Sequence, residues 1–152
     1  MPWQMRRISK PIEKALAGVQ GVYADLARRP IERNCVRIKE CCHFKLTGRT
    51  PYLTRGEALL AALALKATGR KILPENSEGV CPMLDRASGN CLIYDARPFG
   101  CRTHFCAAAG GPYARREVVD LIHRLEKIDH DLGGTGGQAF PHALAQAMQQ
   151  LG

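Results

Sequence analysis

Apolar residues recur every three or four positions near the start of the chain, which is the spacing of one face of an α-helix. This pattern predicts a helix over residues 5–28, which ends before Pro30 because proline cannot continue it. The apolar face of this helix consists of Ile8, Ile12, Leu16, Val19, Tyr23 and Leu26.

Further helices are predicted in the rest of the chain. The segment TRGE begins one, because Thr54 can cap the helix while the carboxylate of Glu57 reaches back to the cap. The apolar run ALLAALALKATG continues this helix, and Gly69 ends it. Another is predicted over about 113–132; its apolar face consists of Val118, Leu121, Ile122, Leu125 and Ile128. The segment GGTGG (133–137) predicts a flexible break, followed by a short, weakly anchored helix in PHALAQAMQQL.

The segments between these helices show no clean hydrophobic period. Residues 31–50 and 70–111 contain most of the Gly, Pro and Cys residues, which predicts irregular backbone, with CLIY as one short strand. Irregular backbone allows several side chains to converge on one point, whereas a helix presents only one face. The pattern therefore predicts a mostly α-helical small domain that is organised around a site.

Length and composition limit the class of protein. A chain of 152 residues is long enough to bury one core without covalent crosslinks. No apolar run reaches the roughly 18 residues of a membrane span, and the basic start has no apolar segment typical of a secretory signal. We therefore expect a single domain over 1–152, located in the cytoplasm and without a membrane partner.

The formal net charge of +8 suggests an acidic partner, either a protein or a nucleic acid. The basic residues, Arg28 and Arg29 among them, are spread along the chain and form no lysine-rich tail. Aromatic residues make up only 6% of the sequence, which is poor for stacking single-stranded bases. Binding to nucleic acid is therefore a weak hypothesis.

Seven cysteines carry the main chemical signal, and packing, disulfides, a redox switch and a metal site are the alternatives. Most lie beside Gly, Pro and charged residues, which argues against simple packing. The cytoplasm keeps thiols reduced and the number is odd, which argues against a disulfide framework. Thiolates are the ligands that select zinc, Cu(I) and iron–sulfur clusters. A metal site is favoured, but the absence of any CxxC leaves its metal open.

Four segments carry a more specific pattern. They are Cys35 with Cys41-Cys42, LTRGE (Leu53–Glu57), CPML (Cys81–Leu84) and CLIYDARPFGCR (Cys91–Arg102). Over roughly 35–106 this pattern resembles the CxxCxxCC cysteine-cluster family of zinc- or iron-chelating domains. The first motif differs from the family pattern because Ile38 stands at its second cysteine position. Cys106, His43 or His104 could take the place of that ligand.

The resemblance implies a metal site whose ligands come from the cysteines. Cys41, Cys42, Cys81, Cys91 and Cys101 are the first candidates, followed by Cys35 and Cys106. Adjacent cysteines point in different directions, so Cys41 and Cys42 fit one zinc ion poorly. An iron–sulfur cluster is therefore favoured over zinc. The predicted metal-binding core is about 31–111, and a C-terminal helix with a flexible tail occupies 112–152.

Side chains near the last motif have two interpretations each. Arg97 and Arg102 either balance the negative charge of the site or, for Arg97, form a structural pair with Asp95 or Glu57. Tyr94 is predicted to be a core residue. The sequence contains no Ser/His/Asp signature and no glycine-rich nucleotide loop after a strand, so whether the chain is an enzyme stays open.

The sequence thus predicts a mostly α-helical domain whose irregular cysteine-rich segments converge on a metal site between helices. The leading functional hypothesis is a cytoplasmic metal-binding protein that carries an iron–sulfur cluster or zinc. It would act in electron transfer, in metal handling or as an accessory subunit. The alternative is a structural zinc module whose basic surface binds nucleic acid or an acidic protein.

Overall fold

The structure, a computed structural model, describes residues 8–29, 52–69, 83, 91–103 and 113–151. These residues are mostly α-helical, as predicted, and form one small domain. The elements in chain order are α1 (Lys10–Ala27), β1 (Tyr52–Leu53), α2 (Arg55–Ala67), a 3₁₀ turn (Tyr94–Ala96), α3 (Phe99–Thr103), α4 (Arg115–Asp131), β2 (Gln138–Ala139) and α5 (Phe140–Leu151).

Helix α1 begins later than the apolar pattern predicted. Ser9 has extended backbone angles (φ −69°, ψ 157°), and Pro11 lies in the first helical turn. Proline lacks an amide hydrogen and is tolerated where helix amides have no partner, so the start at Lys10 agrees with its position. Residues 8 and 9 are therefore not helical, although the helix ends at Ala27, close to the predicted boundary.

The helices α2 and α4 lie where the sequence predicted them. Thr54 is extended before the first turn of α2, and the backbone N–H of Thr54 donates to Oε1 of Glu57 at 3.2 Å. This is the carboxylate half of the predicted capping box. Gly69 follows the end of α2 with a φ of 91°, a conformation that favours glycine.

The core forms where α2 packs against α5 and where α1 packs against α4 and α2. One buried cluster includes Leu59, Leu65 and Leu144; the other includes Val19 and Leu121. None of these five side chains is exposed to solvent. Their burial supplies the main hydrophobic stabilisation of the fold.

A glycine allows α2 to approach both α1 and α4 closely. A Cβ atom on Gly56 would lie 2.9 Å from Cγ2 of Val19 and 2.9 Å from Cγ2 of Ile128. Real Cβ contacts are essentially never that short, so the close contact of these three helices depends on the missing side chain.

The C-terminal helix is part of the core, which corrects the prediction of a weakly anchored helix. Helix α5 buries Phe140, Ala143, Leu144, Ala147 and Met148 in the same cluster as the apolar face of α2. The strand that precedes it pairs antiparallel with β1, with Ala139 opposite Tyr52 and Gln138 opposite Leu53. Both the helix and the strand therefore attach this end of the chain to α2.

The glycine-rich segment before β2 is held by the backbone and the side chain of one residue, Asp129. The backbone N–H of Gly134 donates to the carbonyl oxygen of Asp129 at 2.8 Å, and the N–H of Gly136 donates to Oδ2 of Asp129 at 2.9 Å. The break predicted over 133–137 is thus a turn tied to the end of α4.

Two predictions about CLIY and its surroundings are wrong. After Cys91 the backbone N–H of Leu92 donates to the carbonyl oxygen of Met83 at 2.7 Å, and the chain then enters the 3₁₀ turn instead of continuing as a strand. Tyr94 is 37% exposed, so it is not a core residue. In the ranges described above, no helix has both the length and the apolar character needed to cross a membrane.

Candidate metal centre

Two of the seven candidate ligands lie in the described part of the chain. Cys91 lies three residues before the 3₁₀ turn and Cys101 lies in α3; both side chains are partly buried and pack against the core cluster of α2 and α5. The other five candidates and both histidines lie outside the described residues: Cys35, Cys41, Cys42, Cys81, Cys106, His43 and His104. Among the described residues alone, no group of three His, Cys, Asp or Glu side chains could hold a metal ion.

The carboxylate of Glu57 is buried and accepts hydrogen bonds from four donor groups, one of which lies in the helix of Cys101. Glu57 is only 3% exposed. Its Oε1 accepts from the backbone N–H and the hydroxyl of Thr54, at 3.2 and 2.9 Å. Its Oε2 accepts from the hydroxyl of Tyr23 at 3.1 Å and from the backbone N–H of Phe99 at 2.6 Å. One carboxylate therefore joins α1, α2 and α3.

The contact with Phe99 fixes the start of the helix that carries Cys101. Phe99 is the first residue of α3, and first-turn amides have no partner within their own helix. Pro98 precedes it and is fully buried, and its carbonyl oxygen accepts from the N–H groups of Cys101 and Arg102 at 3.0 and 3.1 Å. The position of Cys101 is thus set by short contacts on the same turn.

Burial dominates the acid–base properties of this carboxylate and its neighbour. Removal from water raises the pKa of Glu57, although the four donated hydrogen bonds act in the opposite direction. Burial also raises the pKa of Tyr23 well above its ordinary value, and the nearby charge of Glu57 adds to this effect. Tyr23 therefore acts as a neutral hydrogen-bond donor.

The side chain of Arg102, in α3, contacts the ring of Tyr23. Its guanidinium carbon lies 4.0 Å from the centre of the Tyr23 ring. Its Nε donates to the carbonyl oxygen of Arg97 at 2.7 Å, and its Nη2 donates to the carbonyl oxygen of Asp95 at 2.5 Å. The side chain is held at three points, which leaves it little rotational freedom.

The charge of Arg102 acts on the neighbouring thiol. Burial lowers the pKa of Arg102, and the negative charges of Tyr23 and Cys101, when present, oppose that shift. Arg102 directly follows Cys101 in the chain, and the thiolate is the form of cysteine that binds metals. A partly buried thiol with this neighbour fits the donor chemistry of a zinc or iron–sulfur site.

Arg97 has a different environment from Arg102. Its guanidinium carbon lies 3.9 Å from the centre of the Tyr94 ring, and its Nε donates to the carbonyl oxygen of Tyr94 at 2.9 Å. In the described residues the carboxylate of Glu57 takes its hydrogen bonds from Tyr23, Thr54 and Phe99. The predicted pairing of Arg97 with Asp95 or Glu57 is therefore not formed.

Several basic side chains just after α1 and in α4 are paired with carboxylates. Nη1 of Arg29 donates to Oδ1 of Asp120 at 2.9 Å, and Nη1 of Arg124 donates to Oδ2 of Asp25 at 2.5 Å. Arg28 also pairs with Asp25. Two carboxylates thus balance most of the charge of these three cations, so this face gives no support to the hypothesis of a basic binding surface.

A cavity of about 210 Å³ opens between α2, α5 and the turn that follows α4. Asp129, 2% exposed, lies in its wall and accepts from the backbone N–H of Arg55 at 2.7 Å. Polar residues in the wall include Gln138, Gln146 and Gln150. No cysteine of the described ranges lines this cavity, so the candidate ligands and the cavity are separate features.

Sequence reasoning found the local role of Glu57 but not its distant partners. The capping motif was visible because Thr54 and Glu57 are three residues apart. Tyr23 and Phe99 are 34 and 42 residues away from Glu57, and no periodic pattern signals such contacts. Asp129 was likewise missed, because it occupies a polar position near the end of a helix that looks exposed in sequence.

Comparison with known proteins gives one match. Searches of curated proteins and of solved structures found nothing that matches the chain. A family model matches residues 34–124, more than half of the 152-residue chain, and is described as a "putative zinc- or iron-chelating domain". The matched segment contains all seven cysteines together with Glu57 and Arg102. The chain therefore belongs to the CxxCxxCC family, as the motifs of the sequence predicted.

Proposed function

We propose that this chain is a cytoplasmic protein that binds an iron–sulfur cluster through its cysteines and serves in electron transfer, in metal handling or as an accessory subunit. The ligands are drawn from Cys35, Cys41, Cys42, Cys81, Cys91, Cys101 and Cys106. One observation supports metal binding: Cys101 is partly buried on a helix held by Glu57, and Arg102 directly follows it in the chain.

The adjacent cysteines favour a cluster over a single zinc ion. Side chains of adjacent residues generally leave the backbone in different directions, so Cys41 and Cys42 would reach one small tetrahedral ion together only with strain. A cluster offers several iron atoms and relaxes this requirement. When bound, an iron–sulfur cluster supplies electron-transfer chemistry, whereas zinc would crosslink the backbone.

The residues around Cys101 support ligand binding in three ways. The bond from Phe99 to Glu57 fixes the helix turn, partial burial of the thiol limits access of water, and Arg102 provides positive charge. The fixed helix turn and the positive charge favour a thiolate held in one place, whereas burial opposes the charged form and protects the site from water. None of them selects between iron and zinc.

Metal analysis of protein purified without oxygen tests the proposal. The measurement combines iron, zinc and acid-labile sulfide content per chain with the visible absorption spectrum. Iron with sulfide and a brown colour is the predicted result. One zinc per chain in a colourless protein would overturn the cluster and leave a zinc domain, and stoichiometric amounts of neither metal would overturn metal binding itself.

A further inference from the structure

We propose that Glu57 and Tyr23 are positioning residues of the metal centre, which hold α3 and Arg102 so that the thiolate of Cys101 stays in place for the metal. This inference rests on the proposed function. It assigns to two residues outside the cysteine motifs a role in retaining the metal, beyond their contribution to the stability of the fold.

Glu57 controls the N-terminal end of α3. Its Oε2 receives the 2.6 Å hydrogen bond from Phe99, two residues before Cys101. The same carboxylate is fixed to the start of α2 through Thr54. A shift of the Glu57 carboxylate would therefore also shift the turn that carries Cys101.

Tyr23 links the carboxylate to the charge beside the thiol. Its hydroxyl donates to Glu57 at 3.1 Å, and its ring supports the guanidinium of Arg102 at 4.0 Å. Tyr23 is itself 5% exposed and packed in the core of α1 and α4, so it has little room to move. The two residues together fix both neighbours of Cys101, namely the helix start before it and the arginine after it.

The substitution Glu57→Gln is a sharp test because it preserves size and removes acceptor capacity. All four partners of Glu57 are hydrogen-bond donors. A glutamine amide has one oxygen and one NH₂ group. The NH₂ group, a donor, would therefore replace one of the two carboxylate oxygens and face the donors that this oxygen now binds. The hydroxyls of Tyr23 and Thr54 can turn and accept, but the backbone N–H of Phe99 or that of Thr54 must then lose its bond.

Asp129 offers a matched control at the same end of α2. It is equally buried, at 2% exposed, and accepts two backbone hydrogen bonds, from Arg55 at 2.7 Å and Gly136 at 2.9 Å. Among the described residues, its hydrogen-bond partners lie in α2 and in the turn after α4, and not in α3. Asp129→Asn therefore creates the same donor conflict and a comparable loss of stability without touching the helix of Cys101.

The experiment measures metal release from three variants and the wild-type chain. Each is purified without oxygen, its iron and zinc are quantified, and the transfer of that metal to a colorimetric chelator is followed well below all the unfolding temperatures. Substitutions next to metal ligands typically change affinity by about 10–100-fold. We expect Glu57→Gln to accelerate release by about tenfold or more, Tyr23→Phe to accelerate it less, and Asp129→Asn to leave it at the wild-type rate.

The outcomes separate this inference from the proposed function. A wild-type chain that carries no metal overturns the proposed function, and the inference with it. A metal-bearing wild-type chain whose release rate is unchanged by Glu57→Gln, or is changed equally by Asp129→Asn, overturns the inference alone. If Glu57→Gln fails to fold, Tyr23→Phe decides, because it removes one hydroxyl and keeps the ring under Arg102; an unchanged release rate in that variant counts against the inference.

Discussion

The carboxylate of Glu57 accepts a 2.6 Å hydrogen bond from the backbone N–H of Phe99, 42 residues further along the chain. The contact joins two of the motifs by which the family is recognised: LTRGE, which begins α2, and CLIYDARPFGCR, which contains Cys91 and Cys101. A motif that looks like a helix cap in sequence is therefore also the attachment point of the last cysteine segment.

Arg102 is expected to matter more for stability than Arg97. Its guanidinium donates to two carbonyl oxygens and covers Tyr23, and a lysine ammonium cannot reproduce both bonds and the stacking. We expect Arg102→Lys to reduce the free energy of unfolding by about 1–2 kcal/mol. Arg97→Lys, at a site stacked on the exposed Tyr94, should cost less than about 0.5 kcal/mol. Urea unfolding of both variants measures the difference, and equal losses would contradict this assignment.

Gly56 should not tolerate a side chain. Gly→Ala in a helix normally stabilises by roughly 0.5–1 kcal/mol. At Gly56 the new Cβ would meet methyl groups of the buried Val19 and the partly buried Ile128, both β-branched, at 2.9 Å. We expect Gly56→Ala to destabilise by about 1–3 kcal/mol.

Gly21 in α1 is the control for this substitution. Of the residues that the structure describes, a Cβ there would meet only Nη2 of Arg124, at an ordinary 3.6 Å. Gly21→Ala should therefore show the usual stabilisation of roughly 0.5–1 kcal/mol. Thermal or urea unfolding of the two alanine variants must give opposite signs; stabilisation in both would show that the helices are not in close contact at Gly56.

The C-terminal helix should contribute strongly to stability. Leu144 is fully buried against α2, so Leu144→Ala is expected to cost about 2–5 kcal/mol through lost burial and a cavity. Leu151 is partly exposed at the end of the same helix, so Leu151→Ala should reduce the free energy of unfolding clearly less. Equal and small effects in urea unfolding would mean that the helix is only loosely attached.

The ion pairs of Asp25 predict a pH-dependent contribution. Hydrogen bonds from Arg124 and Arg28 lower the pKa of this carboxyl below its ordinary range. A carboxylate with a lower pKa in the folded state contributes stability above its unfolded pKa, and the contribution is lost as the pH falls through the folded pKa. The difference in unfolding free energy between wild type and Asp25→Asn should therefore shrink as the pH falls below about 4.

Urea unfolding of the two chains at a series of pH values measures this difference. Comparing the chains at each pH cancels changes that the acid causes elsewhere. Because the pair is exposed to solvent, added salt should also reduce the difference. A difference that is constant with pH, or that grows as the pH falls, would contradict the role of these ion pairs.

The sequence predicted the helices well where the signal was local. The spacing of Val118, Leu121 and Leu125 marked the buried face of α4, and Thr54 with Glu57 marked the start of α2. The prediction that the C-terminal helix is weakly anchored was wrong. Its small apolar residues form a weak hydrophobic pattern in the sequence, and their contact with α2 holds the helix in the core. Tertiary packing decides such cases, and a single sequence does not display it.

The site was predictable in part. The cysteines and the family were recognisable from residue types and spacing, and the family match agrees with them. The hydrogen bonds that position the helix of Cys101 were not predictable, because they join three separate segments, those of Tyr23, Glu57 and Phe99. Hydrogen bonds between distant segments depend on the packing of whole helices and leave no periodic trace in the sequence.

The metal content of cysteine variants tests the central claim most directly. Cys91→Ser, Cys101→Ser and the control Arg97→Lys are purified without oxygen beside the wild-type chain, and iron, zinc and sulfide are measured per chain. Serine has nearly the same size but lacks the soft thiolate that these metals require. We predict that both serine variants lose the metal, whereas wild type and Arg97→Lys retain it. Full metal content in both serine variants would contradict a metal centre built on these cysteines.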